Sequence, residues 1–153
     1  IKERIKSLPI NVIPHEKAVW IEDGVILFNQ ENHVKSKSGS PTDGMSNIDG
    51  WGSSINEIGF THLGYGTQIE VECISFSKFL EELPEDSLIS CKMDIEGSEF
   101  RVLRDLIEKN TIVKINDLYV EWHTNIMSSE NKESENKLKN NMRNIGINLH
   151  DWY

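Results

Sequence analysis

The chain has 153 residues, enough for one domain that buries roughly 70% of the surface its unfolded form exposes. Sixteen basic residues against 25 acidic ones give a formal net charge of −9, and no basic stripe stands out, so nucleic acid held by its phosphates is not an expected partner. No apolar run approaches the roughly 20 residues of a membrane span and no signal-peptide pattern opens the chain, which makes a cytoplasmic protein the expectation.

In chain order, Ile1, Ile5 and Leu8 stand at helical spacing, and Pro9 ends the helix predicted over 2–8. Strand segments follow at 10–13 and 18–21; Asp23-Gly24 makes a two-residue turn, with 25–28 returning as a hairpin partner. From 29 to 67 Gly, Ser, Asn, Thr and Asp dominate, with Trp51, Phe60 and Tyr65 as isolated aromatics. A stretch this long without periodicity reads as a mobile segment or a functional loop over a site. An alternating strand at 68–74 leads into a short helix over 75–83, with Phe76, Phe79, Leu80 and Leu83 on its apolar stripe. After the turn Pro84-Glu85-Asp86 come a strand over 88–95 and a helix from 100 to an αL-type stop near Asn110. A strand over 118–123, a polar stretch over 125–136, a helix carrying Leu138, Met142 and Ile145 to Gly146, and a strand at 147–149 complete the pattern. This rhythm predicts one α/β domain over 1–153, with a mostly parallel sheet and right-handed crossovers. Cys73 and Cys91 sit in apolar runs without a Cys or His at metal-site spacing and read as buried reduced thiols.

Lys92-Met93-Asp94-Ile95-Glu96-Gly97-Ser98-Glu99 is the most informative stretch, because it sets carboxylates and a glycine where a buried strand becomes a helix. With a period of two, Ile89, Cys91, Met93 and Ile95 share one face; Ser90, Lys92, Asp94 and Glu96 share the other. A strand covered by helices on both sides is nearly all apolar. Charge at its carboxyl end therefore needs a reason, and in open α/β sheets that edge is where ligands sit. The strand ending at His123 repeats the pattern, with Tyr119, Glu121 and His123 opposite Leu118, Val120 and Trp122. As parallel neighbours about 4.8 Å apart, the two strands bring Asp94, Glu96, Glu121 and His123 to one spot, where carboxylates raise the pKa of an imidazole and fix its tautomer. The plain alternative is capping and loop anchoring, for which Ser98 and Glu99 stand at a helix start. Gly97 reads as a tight turn or as a place where a ligand approaches the backbone.

The stretch 92–99, its helix and Tyr119-Val120-Glu121-Trp122-His123 together resemble the FkbM-type methyltransferases, which carry a K-x-D-x-E-G-x-E strand end followed about two dozen residues later by E-x-H. Ala18-Val19-Trp20 with Asp23-Gly24 resembles that family's third-strand region, and 51–55 its Gly/Ser segment. The resemblance implies a Rossmann-like class I methyltransferase fold, with helices on both faces of the sheet and S-adenosylmethionine as cofactor. It also implies methylation of a hydroxyl oxygen on a sugar or metabolite. By the same resemblance Ala18 and Val19 lie near the adenine and Asp94 near the methionine end. Glu96, Glu121 and His123 then face the acceptor, with His123 as general base. Trp51 with Ser53 and Ser54 reads as a lid or acceptor wall, since an aromatic face suits a sugar ring, or as a plain loop anchor. No metal is assigned.

The family's first two strands, with their glycine-rich cofactor loop and ribose-binding acid, have no counterpart in these residues. The expectation is that Ile1 begins partway through a longer enzyme and that the domain is incomplete at its N-terminus. Two other readings stay open. One is a non-catalytic binding module on the same fold; the other is a divalent-metal-assisted methyltransferase in which Asp94, Glu96, Glu121 and His123 supply ligands. Acceptor identity and oligomeric state are not legible.

Overall fold

The structure, a computed structural model, describes residues 11–31, 66–124 and 130–152. The helix expected over 2–8 and most of the expected loop, residues 32–65, lie outside the described residues. Among the described residues six strands form two three-stranded sheets: β1 (Ala18–Trp20), β2 (Gly24–Glu31) and β3 (Gly66–Ser75) in one, β4 (Ser90–Met93), β5 (Asp117–Val120) and β6 (Asn148–Asp151) in the other. The described helices that join them are α1 (Phe76–Glu82) after β3, α2 (Glu99–Glu108) between β4 and β5, and α3 (Lys132–Asn144) between β5 and β6.

The first sheet corrects the expected hairpin. β2 does not return along β1; β3 lies between them, parallel to β1 and antiparallel to β2. The turn after β1 wraps the end of β3 instead of folding back. The Ser75 N–H donates to Asp23 Oδ1 (2.9 Å), the Ser75 hydroxyl to the Ile21 carbonyl (3.3 Å) and the Cys73 thiol to the Glu22 carbonyl (3.4 Å). Those bonds satisfy polar groups that a two-residue turn would have left to water. Of the strand expected at 10–13, the described residues show none, since 11–16 has no regular structure; Ile10 lies outside them. Ser75 then caps α1, its side chain accepting from the Lys78 N–H.

The second sheet is all parallel and agrees with the expected crossovers. Met93 pairs with Val120 and Val120 with Asp151, so β4, β5 and β6 run side by side and end at one edge. Right-handed crossovers that step the same way across a sheet put both helices on one face, and α2 touches α3 there. The core lies beneath them: Leu103, Leu106, Leu118, Val120 and Met142 are fully buried, with Phe100 and Met93 beside them. The other face carries the paired row Lys92, Tyr119 and His150. Among the described residues that row is exposed or half-buried, so helices on both faces are not seen there.

Strands 88–95 and 118–123 are shorter than expected, ending at Met93 and Val120, which leaves the charged residues just beyond the ladder. A 3-10 turn occupies Ile112–Lys114. Asn110 takes a left-handed φ of 56° at the end of α2, the expected stop. α3 begins inside the polar stretch because Asn131 and Ser134 form a reciprocal capping box.

Candidate functional site

Sheet geometry and one backbone turn build the site. Past Met93 the chain leaves β4 through Glu96 and Gly97, both at positive φ (53° and 96°), before entering α2. A left-handed glutamate is strained by roughly 1–3 kcal/mol, and such strain gathers at functional turns. On the neighbouring strand the Glu121 N–H donates to the Met93 carbonyl (3.0 Å), keeping the exit of β5 level with that of β4. The two exits therefore meet, as their polar patterns predict.

His123 is the centre. Its Nδ1 lies 2.8 Å from Glu99 Oε1, while its Nε2 lies 3.5 Å from Glu96 Oε2 and 4.0 Å from both Asp94 Oδ1 and Glu121 Oε1. Against a carboxylate, Nδ1 is the nitrogen that carries the proton, and Nε2 is left to face the other three acids. The His123 side chain is 14% exposed, the Glu99 side chain not at all. Burial pulls the His123 pKa down, but the Glu99 hydrogen bond and the charges of Glu99, Glu96 and Glu121 outweigh it, and the net shift is upward. The Glu96 pKa is raised, first by burial and further by the charges of Asp94, Glu99 and Glu121, with His123 opposing. Lys92 Nζ sits on Asp94 Oδ2 at 2.8 Å, on the exposed side.

Glu99 stands in the first turn of α2, as the capping and loop-anchoring reading expected, but it also reaches the site. It accepts the Ile95 N–H (2.9 Å) as well as His123, and its Oε2 is buried with no hydrogen-bond partner. Ser98, at the N-cap of α2, makes no side-chain capping bond. The signal was present: Glu99, Leu103 and Leu106 stand at i, i+4 and i+7 on the buried stripe of α2, and a carboxylate on such a stripe needs a polar partner.

A second network fixes the segment on both sides of His123. Lys139, 9% exposed, pairs with Glu135 (2.8 Å) and Asp151 (2.6 Å), and its ammonium lies 4.8 Å from the Trp122 ring centroid. Trp122 Nε1 donates to Asp151 Oδ1 (3.0 Å), and the Thr124 hydroxyl donates to Glu135. Burial alone would raise the Glu135 pKa, but hydrogen bonds from Lys132, Lys139 and Thr124 hold it at about 2.

Of the expected site residues, Asp94, Glu96, Glu121 and His123 come together. Ala18 and Val19 lie in β1 of the other sheet, half-buried against the core. Trp51, Ser53 and Ser54 lie outside the described residues. A cavity of about 320 Å³ between α2 and α3, lined by Arg104, Ile107, Ser134, Lys137, Leu138 and Asn141, includes none of the cluster residues. Both cysteines are free, and burial pushes the Cys91 thiol up to about 11, which makes it an inert packing residue.

The family model described as the methyltransferase FkbM domain matches residues 17–150. The chain belongs to the FkbM methyltransferase family. The FkbM match spans both sheets and all three helices, so the cluster around His123 lies within the matched domain. No curated protein and no solved structure matches the chain. Among the described residues no helix is long and apolar enough to cross a membrane.

Proposed function

We propose that this FkbM domain transfers a methyl group from S-adenosylmethionine to a hydroxyl oxygen of a sugar or small metabolite, with His123 as general base. The observation that carries the reading is the pair of hydrogen-bonding roles on one imidazole. Nδ1 is tied to buried Glu99, and Nε2 is turned toward the strand ends, beside Glu96. That is the arrangement of a base oriented by a third group.

The donor set fits the cofactor. Its methionine end carries a sulfonium and an ammonium, both positive, and Asp94 and Glu96 present carboxylates at the strand edge where such a ligand sits. Bound there, the cofactor supplies an electrophilic methyl on a sulfonium sulfur that departs as a neutral thioether. Asp94 is assigned to the methionine end. By family resemblance Ala18 and Val19 are assigned to the adenine, and Trp51, whose aromatic face suits a sugar ring, is assigned with Ser53 and Ser54 to the acceptor wall. Glu96 and Glu121 orient the acceptor hydroxyl by accepting from it or from its neighbours. His123 Nε2 takes the hydroxyl proton as the oxygen gains the methyl, and Glu99 stabilises the resulting imidazolium.

The test is transfer of an isotope-labelled methyl from S-adenosylmethionine to a panel of hydroxyl acceptors, followed against pH. The rate should rise with pH as His123 loses its proton, with a midpoint above the ordinary histidine value of about 6.5 because the acids around it raise its pKa. A protein that binds no cofactor, or methylates with a flat profile across neutral pH, would contradict the assignment.

A further inference from the structure

We infer that Lys139 is a positioning residue for the base: its buried ammonium sets where the His123 imidazole stands by holding both of its chain neighbours. The segment needs holding. β5 ends at Val120, so residues 122–124 lie beyond the ladder, where strand pairing no longer fixes a side chain. Lys139 Nζ meets Glu135 Oε1 at 2.8 Å and Asp151 Oδ1 at 2.6 Å, and lies 4.8 Å from the Trp122 ring centroid. Asp151 Oδ1 in turn accepts from Trp122 Nε1, one residue before the histidine. Glu135 accepts from the Thr124 hydroxyl, one residue after it. Both arms therefore end on one cation. Lys139 and Glu135 are buried, so these contacts act in a medium where charge is little screened and displacement is costly.

The same ring ties the base to its partner. Trp122 packs on Phe100 with the ring centroids 5.5 Å apart, and buried Phe100 follows Glu99 on α2. Lys139 thus acts on both ends of the 2.8 Å contact between Glu99 Oε1 and His123 Nδ1. It holds the histidine through 122 and 124, and the turn that carries Glu99 through Trp122 on Phe100. A hydrogen bond to nitrogen weakens beyond about 3.2 Å, so a shift of well under 1 Å frees the imidazole to turn. Misplacing a reacting group by about 1 Å from a distance costs about 10²-fold in rate.

The effect has a sign that separates position from charge. His123 faces Asp94 and Glu96 from the exit of β4, Glu121 from the exit of β5 and Glu99 from α2. Removing a cation raises an imidazole pKa by charge alone, whereas loosening the Glu99 contact lowers it. The rate consequence rests on the methyl-transfer reading; the placement of the ring does not.

The test compares the protein with Lys139→Met, Trp122→Phe and Thr124→Val. It measures the His123 pKa by nuclear magnetic resonance, cofactor affinity, and kcat for transfer of a labelled methyl. Trp122→Phe and Thr124→Val each cut one arm and keep every ion pair, so they decide the matter even where Lys139→Met does not fold. In all three the His123 pKa should fall and kcat should drop by about 10–10²-fold, with cofactor affinity within about twofold. Lys137→Met, whose ammonium pairs with Glu133 on the exposed side of α3, should change none of these. An unchanged His123 pKa and kcat in Trp122→Phe and Thr124→Val would overturn the inference and leave methyl transfer intact. A pKa that falls in a chain that transfers no methyl would keep the positioning and remove the reaction.

Discussion

At His123 the two ring nitrogens meet carboxylates of different burial: Glu99 on Nδ1 is inaccessible to solvent, whereas Asp94 and Glu121 near Nε2 are more than one third exposed. This asymmetry gives a direct prediction for proton binding. Nuclear magnetic resonance should place the His123 pKa above the ordinary value of about 6.5. Glu99→Gln should move it down, because the imidazolium loses a buried anionic partner. The sign for stability follows: a raised folded pKa stabilises below the unfolded value, and that contribution is lost as pH rises through the folded pKa. An unmoved resonance in Glu99→Gln would mean that Glu99 only anchors the Ile95 N–H. Asp94, Glu96, Glu121 and His123 were legible from period-two alternation because each breaks an apolar strand rule. Glu99 carried a fainter signal, its place on the apolar stripe of α2, which a glutamate's ordinary reason to stand in a helix's first turn masks.

Among the elements, α3 does more for the site than its polar sequence suggests. Glu135 falls in the stretch read as loop or exposed helix, yet it is buried, and Lys139 four residues on is buried with it. Neither breaks helical periodicity, and an ion pair bridging α3 to Asp151 of β6 has no signature along the chain. Ile145, read as part of the apolar stripe, is instead 42% exposed, while Leu138 and Met142 are buried. Lys139→Met should cost about 3–5 kcal/mol, because it leaves Glu135 and Asp151 without their shared cation; chemical denaturation measures this. Glu135 makes the fold acid-sensitive. Its depressed pKa stabilises the folded state above the unfolded value near 4.5, and that contribution is lost as pH falls from there through about 2. A Glu135→Gln variant should therefore show a flatter stability curve over that window. Gly146 ends the helix at φ +89°, so Gly146→Ala should destabilise by about 1 kcal/mol through strain alone, with open space around the added methyl.

For the whole molecule, the parallel half was the legible half. The strand–helix alternation from 88 to 151 dictates crossovers whose handedness is nearly fixed, and β4, β5 and β6 pair in that order. The mixed sheet was not legible. Asp23-Gly24 resembles a hairpin turn, and only the long-range pairing of 66–75 shows that β3 inserts between its supposed arms. Membership of the FkbM family ties both sheets to methyl transfer, and the cluster at the exits of β4 and β5 is where the chemistry is proposed. The most direct test is single-turnover transfer of a labelled methyl to a hydroxyl acceptor by the protein and by His123→Gln, with cofactor affinity measured in parallel. The rate should fall by about 10²–10⁴ while cofactor affinity is largely kept. Equal rates in the two proteins would contradict the placement of the reaction at His123.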